Sequence, residues 1–138
     1  MLTKTKKHLI LIADDDKYIR ELLHRELDLS EYEVNIVNNG DKLISLLQTK
    51  KASLVITDIY MDDTDGFEVI TIVKRLNPYI PIIVITGDND IELERKVRNK
   101  DIFAYFIKPI EIKIFHETIK AAIDGFSKSE ALSFDRKH

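Results

Sequence analysis

The chain contains no cysteine, four glycines and three prolines in 138 residues. Without cysteine there can be no disulfide scaffold, thiolate zinc site, iron–sulfur cluster or cysteine nucleophile. The same absence fits a reducing compartment. The glycines, Gly40, Gly66, Gly87 and Gly125, stand too far apart to write a GxGxxG or Walker loop. There is no GxSxG elbow and no HExxH pair. His8, His24, His116 and His138 lack ligand spacing and read as ordinary polar residues. An excess of one charge is missing too, because 21 basic residues face 24 acidic ones, a net −3. That balance does not suit a protein that holds nucleic acid by general phosphate attraction. After the basic start, the apolar stretch Leu9 to Ala13 is too short for a secretory signal, which needs about 7–15 apolar residues. It is also far from a membrane span of about 20. The expectation is a cytoplasmic protein with no membrane segment and no direct nucleic-acid binding.

What is present is a core. Hydrophobic residues make up 44% of the chain, enough for one folded domain. Five short apolar runs have strand composition: His8–Ala13, Glu33–Val37, Ser53–Thr57, Pro81–Thr86 and Ile102–Ile107. Three are nearly continuous rather than alternating, as in strands covered on both faces of a parallel sheet. Between them lie stretches with apolar residues at helical spacing: Asp16–Leu29, Asp41–Thr49, Gly66–Asn77, Asp90–Lys100 and Ile110–Phe126. The fourth has only Ile91, Leu93 and Val97 as apolar anchors, so it should be loosely held. Asn77-Pro78 stops the third. A strand–helix order repeated five times predicts an α/β fold: a doubly wound (βα)5 sheet with right-handed crossovers in a three-layer sandwich. The domain should occupy residues 1–126, with 127–138 a polar tail that frays or begins a linker.

In open parallel sheets, functional groups gather beyond the carboxyl ends of the strands, where the strand order reverses. The first run ends in Asp14-Asp15-Asp16, the third in Asp58, the fourth in Thr86-Gly87 and the fifth in Lys108-Pro109. The second ends in Asn38-Asn39-Gly40 and carries no ionisable group. In a five-stranded flavodoxin-like order 2-1-3-4-5 that strand lies at the edge, and the other four ends converge. Asp14, Asp15 and Asp58 would repel one another unless a hard cation joined them, and Mg2+ takes oxygen ligands of this kind. A lysine and a threonine hydroxyl complete a set suited to a phosphoryl group, for which a carboxylate can act as acceptor. Each residue alone has a plainer reading: helix capping for Asp14–Asp16, a loop acid for Asp58, a strand end for Thr86, a solvated lysine for Lys108. Their conjunction at four strand ends carries the argument.

The segments LIADDDKYIRELL, LVITDIYMDDTDGFEVI, IPIIVITGD and AYFIKPI resemble the receiver domain of two-component response regulators, from about Leu9 to Ile123. The resemblance implies roles. Asp58 matches the phosphoacceptor, Asp15 the direct metal ligand, and Asp14 the acid that reaches the metal through water. Tyr60 would give its backbone carbonyl to the metal. Thr86 would bond the phosphoryl, Lys108 would pair with it, and Lys108-Pro109 would be a cis peptide. Thr86 and Tyr105 match the switch pair, which reshapes the face made by the fourth helix, fifth strand and fifth helix. The implied cofactor is Mg2+, with Mn2+ as a substitute. The implied donor is a sensor histidine kinase or a histidine phosphotransfer protein, with an unknown output partner and a phosphorylation-dependent dimer through that same face as the oligomer to test. The chain departs from the family pattern at Asp62, where proline is usual, so the loop after Asp58 should be less rigid. Asp62, Asp63 and Asp65 should add negative charge at the mouth. Asp101-Ile102 replaces the usual Gly-Ala, and Phe103-Ala104 replaces the acidic pair of the winged-helix subfamily. The dozen or so residues after the fifth helix are too few for a helix-turn-helix domain. Tyr60 and Asp88 occupy the positions that tune hydrolysis of the phosphoryl. Three alternatives stand beside this reading. An unphosphorylated interaction module could use the same scaffold. A haloacid dehalogenase-type phosphatase would need an acid where Tyr60 stands. An FMN carrier would have to bind phosphate against three aspartates.

Overall fold

The computed structural model describes residues 7–137, with side chains to residue 132. Five strands, β1 (His8–Ala13), β2 (Tyr32–Val37), β3 (Leu54–Thr57), β4 (Ile82–Thr86) and β5 (Ala104–Ile107), form one sheet. All adjacent pairs are parallel and the order is β2-β1-β3-β4-β5, as the sequence predicts. Five helices alternate with them: α1 (Lys17–Glu26), α2 (Gly40–Thr49), α3 (Gly66–Leu76), α4 (Ile91–Arg98) and α5 (Ile112–Lys137).

Strand side chains alternate between faces, so successive residues of one strand enter different layers. Leu9, Leu11, Ala13, Val55 and Val84 meet Leu43, Leu47, Val69, Val73, Leu93 and Val97 from α2, α3 and α4. Ile10, Ile12, Leu54, Ile56, Ile83 and Ile85 meet Ile19 and Leu23 of α1 and Phe115, Ile119, Ala122 and Ile123 of α5. The three central strands are therefore apolar on both faces, which is why their sequences run nearly unbroken. The edge strands β2 and β5 are mostly half-buried.

Four helices begin at an acid or amide whose side chain accepts a backbone N–H of the first turn: Asp16 for α1, Asn39 for α2, Asp65 for α3 and Asp90 for α4. Helix α1 ends earlier than its apolar spacing suggests, because Leu27 turns extended, yet Leu27 is still buried. The larger difference is α5, which runs past Phe126 to Lys137. The residues after Phe126 are polar but contain no glycine or proline, and polarity alone does not end a helix. His138 lies outside the described residues. Helix α4 is anchored more sparsely than expected. Only Leu93 and Val97 are buried, while Ile91 is 71% exposed. Its turn into β5 places Asp101 at φ 60°, the left-handed conformation that a glycine at this position would take without strain. Aspartate is among the few other residues that adopt it. Lys74 Nζ donates to the Asp101 carbonyl at 2.6 Å. No helix of the described residues is long and apolar enough to cross a membrane.

Gly66 opens α3 directly beneath Asp58. A Cβ there would stand 2.3 Å from the Asp58 carbonyl oxygen and 2.7 Å from Ile59 Cα, both backbone atoms that cannot swing aside. Gly66→Ala should therefore lower unfolding stability in urea by roughly 2–3 kcal/mol. Gly125→Ala, in the middle of α5 with nothing within 4 Å, should raise it by about 0.5–1 kcal/mol. Equal effects of the two substitutions would contradict the packing described.

Candidate functional site

The β1–α1 loop starts where β1 leaves the sheet centre. Asp14 is 2% exposed, and its Oδ1 accepts from the Asp16 backbone N at 2.9 Å. Asp16 turns away to cap α1. The capping explanation is thus right for Asp16, whereas Asp14 and Asp15 face the neighbouring strand end. There Asp58, 5% exposed, follows β3. Its Oδ1 accepts from the backbone N of Ile59 at 2.6 Å and of Tyr60 at 3.3 Å. Its Oδ2 accepts from Lys108 Nζ at 3.1 Å. The same ammonium lies 3.1 Å from Asp14 Oδ2 and 4.0 Å from Asp16 Oδ2. Lys108 follows β5, its backbone N donating to the Thr86 carbonyl at 2.8 Å, and Lys108-Pro109 is cis.

Charges crowd together here. Burial, aided by repulsion from Asp58, pushes the Asp14 carboxyl up to about 6, against the pull of the Asp16 N–H and Lys108. Asp15 is also raised, first by burial and then by Asp58 and Asp62. Burial alone would lower the Lys108 ammonium, but the Asp14 and Asp58 carboxylates outweigh it and hold it above its ordinary value. One oxygen from each of Asp14, Asp15 and Asp58 lies within 4.8 Å of the others. Three hard oxygen donors at this spacing, one held up chiefly by its burial, fit a small divalent cation.

The other expected residues hold different positions. Thr86, at the end of β4, is buried, and its Oγ1 accepts from the Asp88 backbone N at 3.2 Å. Tyr60 is 55% exposed, and only its backbone N reaches Asp58. Tyr105 is half-buried on β5, with Arg98 of α4 over its ring at 5.6 Å from the centroid. Its hydroxyl is buried with no hydrogen-bond partner among the described residues. The three acids after Met61 do not act together. Asp62 adds repulsion to Asp15, whereas Asp65 caps α3. Asp63 accepts from the backbone N of Gly40 and Asp41 at 3.2 and 3.1 Å, which ties the loop that lacks the proline to α2. One residue escaped the sequence reading. Arg20 Nη1 donates to the Asp14 carbonyl at 2.9 Å and steadies the loop of paired acids. The signal for it is its place four residues after the Asp16 cap, since helical side chains tilt toward the N-terminus.

Comparison with known proteins points one way. Residues 10–120 match the family described as the response regulator receiver domain. The DNA-binding transcriptional regulator NtrC of Azospirillum brasilense is 30% identical over 91% of this chain and 26% of its own length. The transcriptional regulatory protein GlrR of Escherichia coli is 27% identical over 83% of this chain and 26% of its own. The chain thus spans about a quarter of the length of these curated relatives. Among solved structures, a CheY-like response regulator receiver domain protein from Methanospirillum hungatei superposes with a TM-score of 0.83. It is 27% identical and covers 90% of this chain and 99% of that one.

The raised Asp14 has a thermodynamic consequence. In the unfolded chain it ionises near 3.8, in the fold only near 6. Stability without metal should therefore fall as pH rises from about 4 to about 6 and then level off. Asp14→Asn removes that penalty. In metal-free buffer at pH 7.5 it should be more stable than the wild type, on the order of 2 kcal/mol, with the gap closing toward pH 4.5. Urea titrations at both pH values check this, and a less stable variant at pH 7.5 would contradict it.

Proposed function

The chain belongs to the response regulator receiver domain family, and we propose that it is a phosphoacceptor switch that takes a phosphoryl group onto Asp58. What supports this reading above all is the state of that carboxylate. It is buried, held through one oxygen by two backbone N–H groups and through the other by Lys108, and lies beside Asp14 and Asp15. Such a group is oriented before any donor arrives, and orientation with charge neutralisation is most of what phosphoryl transfer needs.

The proposed step joins an Asp58 carboxylate oxygen to the phosphorus of a phosphohistidine. The N–P bond breaks, and the imidazole leaves with its electron pair and takes up a proton. The product is an acyl phosphate. Mg2+, held by Asp14, Asp15, Asp58 and the Tyr60 carbonyl, would neutralise charge on the transferred oxygens. Lys108 keeps its ammonium at the acceptor through its two carboxylate contacts. Thr86 Oγ1 already accepts from Asp88 N, which leaves its own proton for the phosphoryl. The chain's own part is thus to act as substrate and scaffold of the transfer, with at most self-phosphorylation and self-dephosphorylation. The donor would be a histidine kinase or phosphotransfer protein in the cytoplasm.

The output surface in this reading is α4–β5–α5. Exposed Ile91, Ile107 and Ile114 lie on these three elements, with Phe103 just before β5, as apolar contacts for a partner or a second copy. Thr86 moving toward the phosphoryl would free space for Tyr105, and sparsely anchored α4 would follow.

With Mg2+ and acetyl phosphate, intact mass should show one added phosphoryl, absent in Asp58→Asn. Chelation of the metal should cut the labelling rate at least about tenfold. Equal labelling of Asp58→Asn would overturn the assignment. Tyr60 stands at the mouth, where its bulk hinders water, so Tyr60→Ala should shorten the phosphoryl lifetime several-fold in a chase assay. An unchanged lifetime would reject that role.

A further inference from the structure

We propose that Asp63 is a positioning residue, whose carboxylate pins the loop after Asp58 to the first turn of α2 and so fixes the Tyr60 carbonyl for the cation. The inference rests on the metal set proposed above.

Tyr60 sits in a loop with three restraints. At its base, Gly66 N donates to the Ile59 carbonyl at 2.8 Å. Beneath it, Met61 is buried in the core shared with α2 and α3. On its far side, Asp63 Oδ1 accepts from Gly40 N at 3.2 Å and Oδ2 from Asp41 N at 3.1 Å. Beside that clamp, Thr64 Oγ1 donates to the Asp41 carboxylate. The Thr64 carbonyl presses on Gly40 so closely that a Cβ there would stand 2.2 Å from its oxygen. Loop and helix therefore meet in one arrangement, made from both sides.

The chemistry explains the need. Position 62 is aspartate, whose φ is not fixed by a ring as proline's would be. A backbone carbonyl ligates a cation well only if its peptide plane is held, and the Tyr60 side chain, 55% exposed, does little to hold it. An anion at the start of α2 supplies that restraint through two N–H groups and the helix dipole. Asp63 thus acts through the backbone and touches neither the cation nor the phosphoryl.

Calorimetric titration of MgCl2 into the full chain tests this. Asp63→Ala should raise the Mg2+ dissociation constant about tenfold, the low end for partners that orient metal ligands. Asp63→Asn keeps the volume and one acceptor, and should weaken binding less. Asp28→Ala is the control. It removes an exposed carboxylate that accepts from Ser30 N and Ser30 Oγ in the α1–β2 turn, and should bind Mg2+ like the wild type. Amide hydrogen exchange at residues 60–62 should speed up in Asp63→Ala and not in Asp28→Ala. Wild-type affinity in both Asp63 variants would overturn the proposal while leaving the metal site standing. Equal weakening by Asp28→Ala would overturn it as a mere stability effect. A wild-type chain that binds no Mg2+ would remove the metal reading, and this inference with it.

Discussion

The ammonium of Lys108 lies 3.1 Å from a carboxylate oxygen of Asp58 and 3.1 Å from one of Asp14. Both acids are almost wholly buried. Neither could remain there as a lone charge, because desolvation would cost several kcal/mol per ion. One ammonium does not balance the site, however, since Asp15 adds a third carboxylate within reach of the other two. Three acids against one base leave an excess of negative charge, and repulsion from Asp58 adds to burial, the larger cause, in holding the Asp14 carboxyl up to about 6. A divalent cation would remove that excess. In the proposed switch a phosphoryl group would then add roughly −1.5 to −2 charge again. The metal and the Lys108 ammonium would together have to balance both states.

The fold makes this crowding available. In a parallel sheet every strand points the same way, so the residues that follow β1, β3, β4 and β5 arrive at one edge. The acids in these loops then divide into two kinds. Asp16, Asp65 and Asp90 turn back to cap α1, α3 and α4. Asp14, Asp15 and Asp58 instead face one another, Asp14 and Asp58 buried and Asp15 exposed. A few residues of chain separate a helix cap from a member of this cluster, and the direction of the side chain draws the distinction.

The strands, their order and the residues after them were legible because burial on both faces writes an unbroken apolar run, and the ionisable residue comes next. Other features were not legible because they depend on contacts remote in sequence or on polar residues without a period. The link from Asp63 to α2 spans 22 residues and has no local signature. Composition shows Asp63 and Asp65 only as negative charge near the mouth, and the structure adds that both also anchor helix starts. The length of α5 was missed because exposed residues such as Lys128 and Leu132 fit a tail as well as a helix. For α4, the count of apolar residues gave the right character, and the structure sharpened it by exposing Ile91.

That weak hold on α4 bears on how a charge at Asp58 would be felt at a distance. Tyr105 balances two terms. Its hydroxyl is buried without a partner, a cost of about 1–3 kcal/mol. Its ring lies under the Arg98 guanidinium, a gain of about 0.5–1 kcal/mol at an exposed site. Arg98 is itself held by Glu94 at 2.8 Å, so the ring, which packs against the core on one side, is coupled to α4 on the other. In the proposed switch, opposing terms of that size would leave a second ring orientation within reach of the first. Each 1.4 kcal/mol of bias then shifts their ratio about tenfold. In the proposed switch, the bond between Thr86 and a phosphoryl supplies such a bias one strand away, since Thr86 and Tyr105 lie on the paired strands β4 and β5. A stiffer α4, or a partner for the Tyr105 hydroxyl, would hold one orientation and disconnect the surface from the site.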